Sequence, residues 1–285
     1  MTGLAPVLRD ATTALDGVSA TPRIDAEILL AHALGMQRSE MLLSQHDLNA
    51  PDSFAAMVAR RIAEEPVAYI TGTQAFWDLE LRVTPDVLIP RADSETLLEA
   101  AIASFGSDRS PAHIADLGTG SGALLLAALS IFPAASGIGI DASAPALAVA
   151  SGNAERLGFA DRVRFEMRNW TVPGWTDGLG RFDLVLCNPP YVEDDVVLAP
   201  MVSAYEPHSA LFAGADGLDD YRLLIPHLPR LLNPDGIALF EIGYNQAESV
   251  GQLADEAGFM TTLRHDLAGN PRVLRFSLGI EVYND

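Results

Sequence analysis

From residue 112 to its end the chain alternates short apolar runs with helical stretches, and this rhythm limits the possible folds more than any other feature. The runs cover 114–117, 138–140, 163–165, 182–187 and 237–242. Each has the length of a buried strand and falls short of a helix. Helical stretches between them predict an α/β fold with a doubly wound, mostly parallel sheet. Two closing runs, 260–263 and 273–278, lie near enough in sequence to pair antiparallel at one edge.

The first 75 residues carry a different period. Thr21-Pro22 has the form of a helix start, a capping hydroxyl followed by a proline in the first turn. Ile24, Ile28, Leu30 and Leu34 then form an apolar stripe that Gly35 closes, and Phe54, Met57, Val58 and Ile62 form a second. At Phe76 the period changes to two: Trp77, Leu79, Leu81 and Val83 alternate with Asp78, Glu80 and Arg82. Thr84-Pro85-Asp86 supplies a turn before Val87-Leu88-Ile89, which predicts a hairpin with Trp77 as a packing residue. Asp93 is placed to cap a helix running to about residue 105, with Glu95 in its first turn. The expected organisation is a helical domain over 1–75, a β-hairpin linker over 76–92 and an α/β domain over 93–285.

Charge excludes several function classes. Of 285 residues, 38 are acidic and 18 basic, and every basic one is arginine. Without lysine the chain has no Schiff-base amine and no P-loop ammonium. A net charge of −20 also makes a poor partner for a phosphate backbone, where affinity rests on basic groups displacing counterions. With 49% apolar and 20% charged residues, a disordered chain is not expected. The lone Cys187 permits no internal disulfide and no cysteine-cluster metal site, in keeping with a reducing cytosol. The N-terminal ten residues lack the basic flank and apolar run of a targeting signal, and the most apolar stretch, 123–132, is too short to cross a bilayer. A cytoplasmic protein with no membrane association is expected.

Asp116-Leu117-Gly118-Thr119-Gly120-Ser121-Gly122 ends one predicted strand and opens an apolar helix. Glycines there let the backbone turn sharply and approach a ligand beside a helix N-terminus. Asp141 closes the next strand, at the right distance to accept hydrogen bonds from ribose hydroxyls. This pair implies a nucleoside-bearing cofactor without choosing between a nicotinamide dinucleotide and S-adenosylmethionine, because Ala123 also satisfies a dinucleotide fingerprint.

The tetrapeptide Asn188-Pro189-Pro190-Tyr191, after the fourth strand, favours methyl transfer to a planar nitrogen. An amide nitrogen gives its lone pair to the adjacent π-system and is a weak nucleophile. Acceptors aimed at its two N–H groups can turn that lone pair toward an electrophilic carbon. The Asn188 side-chain oxygen and the Pro189 carbonyl are suitable acceptors, two prolines stiffen the backbone, and Tyr191 offers a ring wall. No base is required, since the nitrogen sheds its proton readily once cationic. Accordingly His208 is read as a structural or exposed loop histidine, and Cys187 as buried and inert. Arg91 and Glu95 are candidates for an ion pair at the site mouth. Glu241 ends the fifth strand, pointing toward the ligand region with a structural role expected, and Tyr205-Glu206-Pro207 is expected to cover the site as a loop.

With further landmarks in order, namely Pro66 to Gly72 (PVAYITG), Ile89 to Glu95 (IPRADSE), the glycine loop, Asn188-Pro189-Pro190-Tyr191, Tyr205-Glu206-Pro207 and Phe240-Glu241-Ile242-Gly243, the chain resembles the protein-(glutamine-N5) methyltransferases that modify peptide chain release factors. The resemblance runs over nearly the whole sequence and is weakest over the first 20 residues. It implies a helical N-terminal domain joined by a hairpin to a class I methyltransferase domain. It further implies S-adenosylmethionine as donor, S-adenosylhomocysteine as product, and the glutamine of the release-factor Gly-Gly-Gln loop as acceptor. By position, Gly118, Thr119, Gly120, Ser121 and Gly122 would cradle the methionine end, Asp141 the ribose and Trp170 the adenine region. Asn188, Pro189, Pro190 and Tyr191 would receive the glutamine amide. Two departures stand out: Asn169 where relatives often carry Asp, and Ser94 where Thr is more usual. Rival readings are an adenine-N6 nucleic-acid methyltransferase working on a flipped base, a glutamine methyltransferase acting on a ribosomal protein, and a silent cofactor-binding scaffold. A broad positive groove around the pocket would favour the first.

Overall fold

The computed structural model describes residues 3–106 and 109–279. The chain forms two compact units, Met1–Thr73 with Leu198–Glu206, and Gln74–Val197 with Pro207–Asp285. Its helices are α1 (Leu4–Ala14), α2 (Pro22–Leu34), α3 (Arg38–Leu43), α4 (Ser53–Ile62), α5 (Val67–Thr71), α6 (Glu95–Phe105), α7 (Ala123–Ile131), α8 (Ala144–Leu157), α9 (Pro200–Ser203), α10 (Asp219–Leu224), α11 (Leu228–Leu231) and α12 (Ala247–Glu256). Its strands are β1 (Thr73–Phe76), β2 (Leu79–Arg82), β3 (His113–Leu117), β4 (Ser136–Asp141), β5 (Val163–Met167), β6 (Phe182–Cys187), β7 (Leu232–Glu241), β8 (Phe259–His265) and β9 (Pro271–Leu278). No helix among the described residues is long and apolar enough to cross a membrane.

In the first unit α1 to α5 enclose a core that includes Leu8, Leu29, Leu30, Met41 and Phe54. Pro22 opens α2 and Gly35 ends it with a φ of 67°, the left-handed conformation that glycine adopts without a steric penalty. The buried face of α2 is not the expected stripe. Ile24 is 44% exposed, while Asp25 and Glu27 go inside beside Ala26, Leu29 and Leu30. The cause is pairing: Arg61 of α4 donates to Asp25 at 2.8 Å, and Arg23 and Arg38 both donate to Glu27. A paired carboxylate can be buried where a lone one cannot. The Thr21 hydroxyl binds Asp25 at 3.2 Å instead of capping the helix. Tyr205 also belongs to this unit, its hydroxyl donating to the Ala63 carbonyl at 2.8 Å.

The second unit is built on a seven-stranded sheet in the order β5-β4-β3-β6-β7-β9-β8. All pairs from β5 to β7 are parallel, and β9 joins both its neighbours antiparallel, so the two closing strands finish one edge. Side chains alternate across β6: Leu184 and Leu186 enter one core layer with Leu125 and Leu126 of α7, and Val185 and Cys187 enter the other with Tyr221 and Phe240. Both faces are therefore dry, which is why the strands read as unbroken apolar runs.

The hairpin turns earlier than its sequence suggests. β1 and β2 pair around Trp77-Asp78, while Thr84-Pro85-Asp86 makes a separate turn leading into an irregular segment. Trp77 takes a φ of 56°, the sign that a two-residue hairpin turn needs. Glu95 holds it there by accepting the Trp77 N–H at 2.9 Å, so Glu95 serves the turn. Asp93 does not cap α6, since a 3-10 turn over Ala92–Ser94 precedes that helix and Asp93 pairs with Arg272 at 3.1 Å.

Candidate active site

Strand register brings the two sequence motifs together. Leu117, the residue before the glycine loop, is the cross-strand partner of Cys187, the residue before Asn188. The chain runs outward from β3 through β4 to β5 and then returns to the far side of β3 with β6. Both loops thus leave the sheet at its topological switch point, where a crevice opens beyond the carboxyl ends of the strands.

A cavity of about 410 Å³ lies there, lined by Gly118, Gly120, Asp141, Trp170, Asn188 and Pro190 among others. Gly118 and Gly120 take φ values of 77° and 53°, and a Cβ on Gly118 would sit 3.2 Å from the Trp170 ring. Asp141 accepts the Gly120 N–H through Oδ2 and the Ser143 N–H through Oδ1, both at 2.9 Å. Each oxygen keeps a lone pair for a ligand hydroxyl. Trp170 donates Nε1–H to Asp220 at 2.5 Å, which fixes its ring as a flat wall, and Asn169 turns its oxygen back onto Thr171.

Not every predicted loop residue faces the cavity. Thr119 is buried and donates to Asp116 at 2.6 Å, and the carbonyl of buried Ser121 accepts from Asn153 at 2.9 Å. Gly122, with a φ of 82°, forms the N-terminal cap of α7. These three build the loop that Gly118 and Gly120 present. Asp116 itself is 1% exposed, and its Oδ1 finds no partner among the described residues. Burial pushes its carboxyl up to about 7, against the opposing Thr119 hydrogen bond.

A smaller cavity of about 170 Å³ adjoins Asn188 and includes Leu88, Arg91, Tyr191, Ala210 and Glu241 in its lining. The Tyr191 hydroxyl donates to Glu241 Oε1 at 3.1 Å, and Asn188 Nδ2 donates to Ser94 Oγ at 3.1 Å. Burial raises the Tyr191 phenol above its ordinary range, and the adjacent Glu241 raises it further. Glu241 is itself raised by burial, against the Ser94 hydroxyl, the charge of Arg272 and the Tyr191 hydroxyl. Pro190 faces the larger cavity, whereas Pro189 is buried and its side chain lines neither. Cys187 is buried, donates to the Leu117 carbonyl at 3.2 Å, and has its thiol raised well above the usual value by burial. His208 is exposed and packs edge-on against Phe212, and Pro207 lines the larger cavity.

Some site residues went unrecognised in the sequence. Gln246 is buried, accepts the Gly243 N–H, and donates to the carbonyls of Tyr191 and Gly217, clamping the end of the tetrapeptide. Its neighbourhood does not mark this clamp, because the two carbonyls it holds lie 55 and 29 residues away. The walls from Val87 and Leu88 come from a segment expected to be a strand.

Comparison with known proteins places this chain in a family. Residues 6–72 match the PrmC N-terminal domain and residues 108–269 a methyltransferase domain. A release factor glutamine methyltransferase from Rhodospirillum rubrum is 40% identical over 89% of this chain and 78% of its own length. One from Caulobacter vibrioides is 40% identical over 89% of this chain and 88% of its own. The chain belongs to the release factor glutamine methyltransferase family. Its class I methyltransferase fold is also that of a methyltransferase crystal structure from Pyrococcus furiosus, with a TM-score of 0.52, 19% identity, and coverage of 81% of this chain and 100% of that one. In this chain the Leu117–Cys187 register stands the glycine loop and the tetrapeptide beside each other.

Proposed function

We propose that this enzyme transfers the methyl group of S-adenosylmethionine to the side-chain nitrogen, N5, of the glutamine in the Gly-Gly-Gln loop of peptide chain release factors, acting in the cytoplasm. One observation carries the reading: Asn188 lines both cavities, so a single residue stands at the donor side and the acceptor side.

The larger cavity suits this donor. Its lining carries Asp86 and Asp141 and no basic side chain. Carboxylates favour a ligand bearing an ammonium and a sulfonium and disfavour a pyrophosphate. The Gly120 N–H, which a dinucleotide phosphate would need, is already spent on Asp141. In this assignment Gly118 and Gly120 admit the methionine end, Asp141 receives the ribose hydroxyls and Trp170 stacks on adenine. Thr119, Ser121 and Gly122 hold the loop in shape. Once bound, S-adenosylmethionine supplies an electrophilic methyl group and leaves as S-adenosylhomocysteine.

The chain's own task is to orient a poor nucleophile. Asn188 Oδ1 and the Pro189 carbonyl accept the two amide protons of the glutamine, so its nitrogen lone pair faces the methyl carbon. Pro190 and the Tyr191 ring hold the flat carboxamide between them. With its pKa raised, Tyr191 stays a neutral phenol at working pH and acts as a wall, not as a base. The proton is lost to water after the nitrogen becomes cationic. The helical unit is assigned the holding of the release factor, and removing it should raise the Michaelis constant for that protein more than it lowers turnover.

Charge weighs against a nucleic-acid acceptor, since Arg91 is the one basic side chain lining either cavity. Labelled donor, purified enzyme and release factor should place label on the factor, and changing its loop glutamine should abolish it. Label on free DNA or RNA would overturn the reading. Asn188→Ala should cut turnover by about 100-fold, the scale of losing one preorganised polar contact to the transition state, with the donor Kd within about threefold. Equal losses in both would make Asn188 a cofactor-holding residue.

A further inference from the structure

The Asn188 side chain could face its cavity in two ways, related by exchange of its oxygen and nitrogen. Only one presents an acceptor to an amide proton; the other opposes N–H to N–H. Backbone geometry does not distinguish them, because the two ends have nearly the same shape. The choice must come from a neighbour whose own hydrogen-bonding sense is fixed.

Ser94 is that neighbour. It is 4% exposed, it sits on the 3-10 turn before α6, and its Oγ accepts from Asn188 Nδ2 at 3.1 Å. A serine hydroxyl carries one proton, and here that proton is directed to the carboxyl of Glu241, which is 1% exposed. The same carboxyl accepts the Tyr191 hydroxyl through Oε1, while Oε2 makes no hydrogen bond among the described residues. A proton on Oε2 would leave the accepting edge unchanged, so the arrangement holds for Glu241 charged or neutral. Around the carboxyl stand Arg272, on the neighbouring strand β9, and Asp93, with which Arg272 pairs.

We propose that Ser94 is the positioning residue for the Asn188 side chain: because its hydroxyl donates to Glu241, it can only accept from Asn188, and Asn188 Oδ1 is thereby turned toward the nitrogen that receives the methyl group. Ser94 touches neither donor nor acceptor. It converts the fixed polarity of a buried carboxyl into the orientation of an amide. The inference rests on the methyl-transfer reading above, and it adds a specific cause for the orientation that reading requires.

The test compares Ser94→Ala, Ser94→Thr, Glu241→Leu and the double variant Ser94→Ala/Glu241→Leu in the full chain. Turnover and Michaelis constant are measured on purified release factor, and S-adenosylmethionine affinity by calorimetry. Ser94→Ala should lower kcat about tenfold, the factor expected for one lost neutral hydrogen bond, with KM and donor Kd within about twofold. Ser94→Thr keeps the hydroxyl and should recover kcat to within about threefold of the wild type. Glu241→Leu frees the Ser94 proton to seek Asn188 Oδ1 and should cost at least as much as Ser94→Ala. The double variant should be no slower than Glu241→Leu alone, because no hydroxyl remains to misdirect the amide. The proposal is overturned if Ser94→Ala keeps wild-type kcat, if it loses donor binding, if Ser94→Thr fails to recover turnover, or if the losses multiply in the double variant. A wild-type enzyme that leaves the release factor unlabelled would count against the functional reading instead, and would show before any variant is compared.

Discussion

Replacing Asn153 with leucine should destabilise the methyltransferase unit and loosen its donor cavity together. Asn153 lies on α8 and is fully buried. Its oxygen accepts the Arg82 N–H at 2.7 Å, and its nitrogen donates to the carbonyls of Arg82 at 3.0 Å and Ser121 at 2.9 Å. One side chain therefore ties the edge of the hairpin to the glycine loop. Leucine has a similar volume, so the change removes three hydrogen bonds without opening a large void. The bond to Ser121 is buried, and the carbonyl left behind costs about 1–3 kcal/mol. The two bonds to Arg82 are only part-buried, where water can replace the partner, and each is worth about 1 kcal/mol. The sum is about 4 kcal/mol. Urea unfolding followed by circular dichroism measures it, and calorimetry should show weaker S-adenosylmethionine binding because the Ser121 turn loses its anchor. A loss below about 1 kcal/mol with unchanged donor affinity would refute the claim that this side chain holds the loop.

Two other perturbations probe the site from different sides. Gly217→Ala would place a Cβ 2.4 Å from the Tyr191 carbonyl oxygen, at a φ of 68° that side chains avoid. It should cost about 2–3 kcal/mol and depress turnover more than donor affinity; crystals with Tyr191 undisplaced and full activity would contradict this. Asp116 titrates at about 7 in the folded chain against a reference of 3.8. Between those values the folded state holds a proton the unfolded chain has released, so stability should fall as pH rises from about 4 to 7, by up to ~4 kcal/mol. Asp116→Asn should flatten that slope in denaturation curves taken without donor; an equally steep slope in the variant would exclude Asp116 as its source.

Much of the site was legible because its signals are local. The glycine loop and the tetrapeptide each follow a strand and Asp141 ends one, and a strand end fixes where the next few residues can go. The failures were also physical. Alternation marked a strand through Leu79 and Leu81 correctly, but the Thr84-Pro85-Asp86 turn signal lost to Trp77, whose left-handed backbone depends on Glu95, 18 residues on. The stripe on α2 was misjudged because Asp25 goes inside only with Arg61, 36 residues away. Thr119 and Ser121 belong to the loop motif, yet one serves Asp116 and the other Asn153.

Periodicity was enough to specify a mostly parallel sheet, and residue chemistry to mark the glycine loop and the tetrapeptide as candidates for holding a cofactor and orienting an amide, since each signal rests on the conformational freedom of a few adjacent residues. Packing settled what adjacency cannot express: that Leu117 stands opposite Cys187, that Asn188 meets Ser94, and that Tyr191 meets Glu241. Those contacts join positions 50 to 94 residues apart. A hydrogen bond has a direction, and over such separations only the folded chain supplies the partner that sets it.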